Sequence, residues 1–381
     1  MEEKKRTVKK IHYFDYNMLT ITIFLLCFGL IMLYSTSSYS AQLDFGDSMF
    51  YFKRQALFCV LGFAGMLIVA KIDYHLWAKL GKLAYIVAMV LMALVLTPLG
   101  LEFNHARRWL KLPFNLTMQP SEVTKIAVVL FIPLLICQAG KTIKDMKVLF
   151  RIFLYGAVAA VGVYVFTDNL STAVIVLGIV CIMLFVAHPK TARWIALAGG
   201  LLAVAGVGIW ILDAMMDTSK SFRLRRILVW LHPEEYLSDG GYQVMQGLYA
   251  IGSGGFFGKG LGNSAQKTII PEVQNDMILS IIGEELGIFG IIVLLTMFGM
   301  LLYRLMFIAQ NAPDMYGSLM VTGIFAHIAL QVVLNVAVVL NVIPTTGITL
   351  PFISYGGTSI LFLMVEMGLA LSVSNRIQFD E

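Results

Sequence analysis

The chain has 381 residues, 59% of them hydrophobic and only 13% charged, with a mean hydropathy of +0.81 and a formal net charge of +5. Ordinary soluble domains carry about 25% charged residues, so this composition excludes a soluble globular protein and indicates a single domain, 1–381, embedded in a bilayer. The basic residues lie mainly in short segments between apolar runs, so no nucleic-acid partner is expected. The four cysteines, Cys27, Cys59, Cys137 and Cys181, all fall inside apolar runs and read as small hydrophobes rather than a disulfide framework.

Ten apolar runs follow in order, at about 17–37, 55–71, 80–98, 122–138, 151–166, 171–187, 194–212, 277–303, 316–341 and 357–374. Each is long enough to cross a hydrocarbon core of about 30 Å as a helix, and none shows the alternation of a barrel strand. The first run is long enough to span and lacks an Ala-x-Ala exit, so no cleavable signal peptide is expected. The fold expected is all-α and polytopic, with ten transmembrane helices. With a cytoplasmic N-terminal segment, 1–16, the inside segments carry sixteen Lys and Arg against five in the short outside loops. That bias puts both termini in the cytoplasm and the large loop 213–275, between the seventh and eighth helices, outside the cell.

The loop 99–121 carries Arg107 and Arg108, then Pro120-Ser121-Glu122, which marks a helix start. Glu122 and Lys125 lie three apart on one helical face and are expected to pair within the membrane. In the large loop, Ser219–Leu231 reads as an amphipathic helix with Arg223, Arg225 and Arg226. A second amphipathic stretch, Tyr242–Ile251, leads into a glycine-rich run, Gly252–Gly262. A membrane-surface position suits all three pieces. The glycine run is no phosphate loop, because Lys259 is followed by Gly260 and position 253 is serine. No zinc spacing and no Gly-x-Ser-x-Gly elbow occurs.

The join at Asp276 concentrates the chemistry. Asp276 ends a polar loop just before the eighth run, and Glu284 and Glu285 follow inside it. Charges at bilayer depth cost roughly 2.5–3.5 kcal/mol on insertion scales and are candidates for function. Asp276 has two readings, a helix N-cap and a reactive carboxylate. Glu284 and Glu285 lie about 12 Å deeper by helical rise and read as supports for intramembrane cations. In the ninth run His327, Gln331 and Asn335, each four apart, form a polar stripe, with Glu366 in the tenth run a partner. That stripe suits either interhelical hydrogen bonding or the lining of a polar cavity. The five arginines share the side of Asp276 and suit either phosphate recognition or headgroup anchoring. The loop 343–357, rich in Pro and Gly, suits a folded, re-entrant connector.

These residues resemble the SEDS (shape, elongation, division, sporulation) family. The matching stretches are Ala106-Arg-Arg-Trp-Leu110, Gln119-Pro-Ser-Glu122, Gly241-Tyr-Gln243, Gly260-Leu-Gly-Asn-Ser264 with Gln266, Pro271-Glu272 with Asp276, Ile282-Gly-Glu-Glu-Leu-Gly287 and Leu350-Pro-Phe-Ile-Ser-Tyr-Gly-Gly357. They cover nearly the whole chain in order and look like the division branch (FtsW, or its sporulation relative) more than the elongation branch (RodA). The chain departs from the family at Gln274-Asn275, where the family reads His-Thr, and at Met277-Ile278-Leu279, where it reads Phe-Ile-Phe.

The resemblance implies a peptidoglycan glycosyltransferase of the bacterial cytoplasmic membrane that polymerises lipid II on the outer face for cell division or sporulation. Its essential aspartate falls on Asp276, the candidate general base, and its ion pair on Glu122 and Lys125. Candidate diphosphate or substrate-binding residues are Arg107, Arg108, Arg223, Arg225, Arg226, Gln243 and Ser354. The implied partners are lipid II, a class B penicillin-binding protein (transpeptidase) and other divisome or sporulation membrane proteins. A divalent cation, Mg or Mn, bound with the substrate diphosphate is expected, and no organic cofactor. A lipid II flippase or transporter, or a scaffold that recruits the penicillin-binding protein, is the alternative reading.

Overall fold

The structure, a computed structural model, describes residues 10–103, 106–113, 116–189 and 222–380. The seventh apolar run, 194–212, and residues 213–221 lie outside the described residues. In chain order the helices are α1 (Tyr16–Phe45), α2 (Phe50–Lys71), α3 (Tyr74–Leu94), α4 (Pro120–Ala139), α5 (Met146–Thr167) and α6 (Leu170–Ala187). They continue with α7 (Phe222–Leu231), α8 (Gly241–Gly254), α9 (Ile278–Asn311), α10 (Met315–Val339) and α11 (Ser359–Ser374). Among the described residues eight helices, α1 to α6, α9 and α10, are long and apolar enough to cross a membrane. The last expected span, α11, is a shorter apolar helix of 16 residues, about 24 Å.

Each helix start has a local cause. Asp15, Asp73, Asp145 and Asp314 accept backbone N–H groups of Met18, His75, Lys147 and Gly317 at 2.7–3.0 Å and cap α1, α3, α5 and α10. Asn169 caps α6 in the same way through Thr172 N–H. Pro120 opens α4, where its missing N–H costs nothing. Of the eight, α10 is the most buried and α3 the least, so α10 is the post around which α4, α6, α9 and α11 assemble.

The expectation of an all-α chain is corrected at two places where extended segments pair outside the long helices. Strand β1 (Lys10–Tyr13) pairs antiparallel with the last strand, β5 (Ile377–Asp380), in the register Lys10 to Asp380. The chain's two ends therefore lie on one side of the helix array. Arg304 of α9 locks this clasp by donating to Asp15 at 2.7–3.2 Å and to the Tyr13 hydroxyl. The loop 99–121 folds as a three-stranded antiparallel sheet of β2 (Gly100–Phe103), β3 (Ala106–Lys111) and β4 (Thr117–Met118).

The glycine run, expected as turns at a membrane surface, forms turns beyond α8, and these turns meet a break in α9. Gly287 adopts φ 69° and ψ −170° inside that helix, which frees backbone groups on both sides of it. Lys259 and Gly260 N–H donate to the Glu284 and Glu285 carbonyls at 2.9 Å, and Ile288 and Phe289 N–H donate to Gly255 and Phe256 carbonyls at 3.0 Å. The amphipathic stretch expected at the surface forms α8, which runs parallel to the first turns of α9, with Gly247 against Met277 and Ser280 and Gly254 against Gly283. A Cβ at Gly254 or Gly258 would collide with the α9 backbone, so only glycine permits this approach.

This packing has a direct test. Gly258→Ala combines a φ of +80° with a backbone collision at Glu285 and is expected to destabilise the protein by about 2–4 kcal/mol. Gly252→Ala lies in α8 with open space around its Cβ position and is expected to be neutral or stabilising by up to about 1 kcal/mol. Thermal unfolding of the two purified variants in detergent separates them.

Candidate active site

Asp276 is held by its backbone, which leaves its carboxylate available. A reverse turn closes from Asn275 N–H to the Glu272 carbonyl at 2.9 Å and delivers Asp276 to the top of α9. The Asp276 carbonyl accepts from Asn335 Nδ2 at 2.8 Å, and the same amide donates to the Ile348 carbonyl at 2.8 Å. One α10 side chain therefore fastens both the loop 271–276 and the loop 343–357. Gln331, one turn away, donates to the Thr349 carbonyl at 3.0 Å, and Tyr355 N–H donates to the Gln274 carbonyl at 2.9 Å. The capping reading of Asp276 is corrected here. The residue that caps α9 is Met277, and α9 has no side-chain cap.

The segment Thr345–Gly347 is the meeting point of the site. Arg226 of α7 donates to the Thr345 carbonyl at 3.4 Å. Ser171 at the start of α6 donates to the Thr346 carbonyl at 2.8 Å. A Cβ on Gly347, whose φ is +70°, would stand 4.0 Å from Asp276 Oδ2. The Thr346 hydroxyl is buried and has no hydrogen-bond partner among the described residues. Helix α7 docks beside these groups through Trp230, whose indole N–H donates to the Asn341 carbonyl at 2.9 Å.

Partial burial beside these loops pushes the Asp276 carboxyl up to about 6. Loss of water is the main cause and the nearby Glu272 charge adds to it, while its own backbone N–H and Arg226 act the other way. A carboxylate so placed exchanges protons close to neutral pH.

The two arginines of β3 point to opposite faces, as strand alternation requires. Arg107 is exposed and pairs with Glu102 at 3.3 Å. Arg108 turns inward and donates Nη2–H to the Asp168 carbonyl at 3.1 Å, at the turn between α5 and α6. Its Nε–H is buried without a partner among the described residues, and burial lowers its pKa. Arg108, the turn at 167–169, Ser171 and the Thr345–Gly347 segment thus form a continuous path toward Asp276. The side chains of Arg223 and Arg225 lie outside the described residues. Gln243 sits partly buried on α8. Ser354 is buried, and its hydroxyl accepts Leu350 N–H at 2.8 Å to close the turn 350–354 that precedes α11.

The deeper polar residues pair with one another, while His327 Nε2 and Glu366 Oε1 are buried without a hydrogen-bond partner among the described residues. Lys125, 2% exposed, pairs with Glu122 at 2.8 Å. Glu122 borders a cavity of about 20 Å³ with Gln55, Gln331, Thr349, Ser354 and Ser359, room for about one water. His327 meets Glu366 at 2.7 Å between α10 and α11. Glu284 and Glu285 are fully buried. Glu284 accepts from Lys259 at 2.7 Å, from the Ser264 hydroxyl and from Ala265 and Gln266 N–H at 3.2–3.3 Å. Glu285 accepts from Ser35 of α1 and lies 3.7 Å from Lys267. Their cations come from the loop that leads back to Asp276, rather than from another long helix.

Among the described residues no three His, Cys, Asp or Glu converge on a metal-sized site. Sequence reasoning missed Glu272, Ser171, Thr345, Thr346 and Gly347. The density of Pro and Gly in 343–357 is the sequence signal that could have found that segment.

Fold and site together define a multi-pass helical membrane protein with a partly buried acidic site between two irregular loops. A family model described as FTSW_RODA_SPOVE, cell cycle protein, matches residues 16–378, and the chain belongs to this family. Stage V sporulation protein E of Bacillus subtilis (strain 168) is 38% identical over 96% of this chain and 98% of its own length. A probable peptidoglycan glycosyltransferase FtsW of Trichlorobacter lovleyi is 36% identical over 95% of this chain and 93% of its own. A chain of a peptidoglycan synthase complex, solved to describe the structural coordination of polymerization and crosslinking, superposes with a TM-score of 0.76 at 25% identity, covering 95% of this chain and 97% of that one. The rod shape determining protein RodA of Thermus thermophilus superposes with a TM-score of 0.67 at 25% identity over 96% of this chain and 97% of its own.

The Asn335 staple is open to test. Asn335→Ala removes the side-chain amide that donates to the Asp276 and Ile348 carbonyls and is expected to cost about 2–3 kcal/mol. Asn335→Asp is expected to do no better, because an ionised carboxylate donates nothing. Thermal unfolding measures both.

Proposed function

We propose that this chain is a peptidoglycan glycosyltransferase that polymerises lipid II on the outer face of the bacterial cytoplasmic membrane, in septal wall synthesis or sporulation. The observation that carries the reading is the Asp276 carboxylate, uncapped, partly buried and pushed up to about 6 beside the Thr345–Gly347 segment. The names of the relatives support the activity and the substrate class, and the synthase complex supports a penicillin-binding protein as partner.

In this reading lipid II presents an α-linked sugar diphosphate and the product linkage is β, so the displacement inverts the anomeric carbon. Asp276 takes the proton from the acceptor's 4-hydroxyl as that oxygen bonds to the donor anomeric carbon. The bond to the diphosphate breaks, and the leaving group keeps the electron pair. Arg226, which donates to the Thr345 carbonyl, and Arg108, which donates to the Asp168 carbonyl at the α5–α6 turn, would take up the growing negative charge. A magnesium or manganese ion would be held chiefly by the diphosphate's own oxygens, since the described residues offer no cage.

Ten crossings with Asp276 outside belong to the same reading. Eight long apolar helices and the shorter α11 make nine candidate crossings among the described residues, and the pairing of β1 with β5 at one side favours an even total, with the apolar run 194–212 as the tenth. A transporter reading is less well supported, because Gln331 and Asn335 spend their donors on backbone carbonyls.

Asp276→Asn keeps the size and the backbone contacts but cannot accept the proton. It is expected to lower lipid II polymerisation by the purified protein with its cognate partner by about 10²–10⁴-fold. Near-native polymerisation would remove Asp276 as the base. In the unaltered protein the base must be ionised, so the rate is expected to fall as pH drops through about 6.

A further inference from the structure

Helices α3 and α5 meet in a seam that carries four unpaired cations at one end. The Tyr85 hydroxyl of α3 donates to the Tyr155 carbonyl of α5 at 2.7 Å, and Met89 and Met92 of α3 pack over Gly162 of α5. Helical spacing puts Lys82 on the face of Tyr85 and Met89, and Arg151 on the face of Tyr155 and Gly162. Both cations therefore stand over the seam, each one turn before the contact between Tyr85 and Tyr155. Lys79 and Lys147 stand one turn further out. All four are exposed, and among the described residues none has a hydrogen bond or ion pair from its side chain. Other cations on this face are taken up, Arg304 by Asp15 at 2.7 Å and Arg376 by Asp73 at 3.2 Å. The carboxylate of Asp145, beside them in sequence, is bound to Lys147 N–H as the cap of α5. This end of the seam lies opposite Asp276. Helix α9 starts just after Asp276 and ends at Asn311, and Asp314, just beyond, meets His75 in the first turn of α3 at 2.8 Å.

We propose that the mouth of the α3–α5 seam binds an anionic phospholipid of the leaflet opposite Asp276, with Lys82 and Arg151 on its phosphate and Lys79 and Lys147 at headgroup level. The inference is independent of the reading of Asp276 as the base. Side chains on a helix lean toward its N-terminus, and α3 and α5 both begin at this face. The four cations therefore reach toward the headgroup layer while their stems lie along apolar surface. Beyond them the same two helix faces turn apolar and stay exposed, with Ile86 and Val90 on α3 and Leu154 and Val158 on α5. A phospholipid matches both parts, its phosphate at the cations and its acyl chains along the apolar rows. A free phosphate would match the cations alone. Four like charges at one mouth repel, and an anion seated between them relieves that repulsion. The excess of Lys and Arg that orients a membrane protein accounts for how many cations lie on this face. It does not require them to stand unpaired and in register along one seam.

The test is titration of dioleoyl phosphatidylglycerol into the purified full chain in a nonionic detergent, with bound lipid counted by native mass spectrometry. Dioleoyl phosphatidylcholine and inorganic phosphate are the comparison ligands. The unaltered protein is expected to retain phosphatidylglycerol in preference to phosphatidylcholine. Lys82→Gln combined with Arg151→Gln is expected to weaken that retention by about 10-fold or more, the scale of two cations at a membrane surface. Lys71→Gln combined with Lys141→Gln removes as much charge from exposed positions on the same face and is expected to leave retention nearly unchanged. If the seam pair folds poorly, the single variants Lys82→Gln and Arg151→Gln carry the same comparison against Lys71→Gln. Equal loss in the two pairs, or equal retention of the two phospholipids by the unaltered protein, would reduce the seam to diffuse surface charge and overturn the inference. Displacement of the lipid by inorganic phosphate would make this a site for a free anion and overturn it as well.

Discussion

A backbone group that leaves regular helix inside a membrane protein must find its partner within the protein, because hydrocarbon offers none. That demand organises the irregular parts of this chain. At the Gly287 break in α9 the freed carbonyls of Glu284 and Glu285 are met by N–H groups of the glycine run. At the start of α9 and in the loop before α11, the carbonyls of Asp276, Ile348 and Thr349 are met by side-chain amides of α10. The two repairs lie on either side of the segment that ends in Asp276. They allow non-helical backbone to sit against buried helices, and so allow a carboxylate to stand where water thins out.

The electrostatics follow from that placement. A capping aspartate would be bound to helix N–H groups and held ionised by them. Asp276 is not so bound. Partial loss of water dominates instead, and the opposed charges of Glu272 and Arg226 trim the result. The deeper carboxylates have the contrary arrangement. Glu122, Glu284 and Glu285 each have a lysine partner or several donors and are committed to structure. Burying a charge is tolerable only when it is paired and hydrogen-bonded, and these three residues meet that condition. Asp276 has no such lysine partner or set of side-chain donors among the described residues.

Much of this was legible in the sequence. Apolar runs located the long helices, because a bilayer asks only for length and hydrophobicity. The pairing of Glu122 with Lys125 followed from helical spacing, and the stripe His327, Gln331, Asn335 was visible as three polar residues four apart. Its targets were not, since spacing along one helix says nothing of which carbonyls a neighbouring loop presents. The Gly287 break was hidden for a similar reason: a single glycine in an apolar run looks like any other small residue until a second glycine segment is found against it. The small sheets at 100–118 and at the chain ends were missed because their strands are only two to six residues long, too short for alternation to stand out.

If Asp276 is the base, it must contact the attacking hydroxyl rather than the leaving diphosphate. A structure of the Asp276→Asn protein with its partner and bound lipid II tests this most directly. The acceptor's 4-hydroxyl oxygen is expected within about 2.6–3.2 Å of the residue 276 side chain, with the diphosphate toward Arg108 and Arg226. A diphosphate seated on residue 276, with the acceptor hydroxyl beyond its reach, would contradict it.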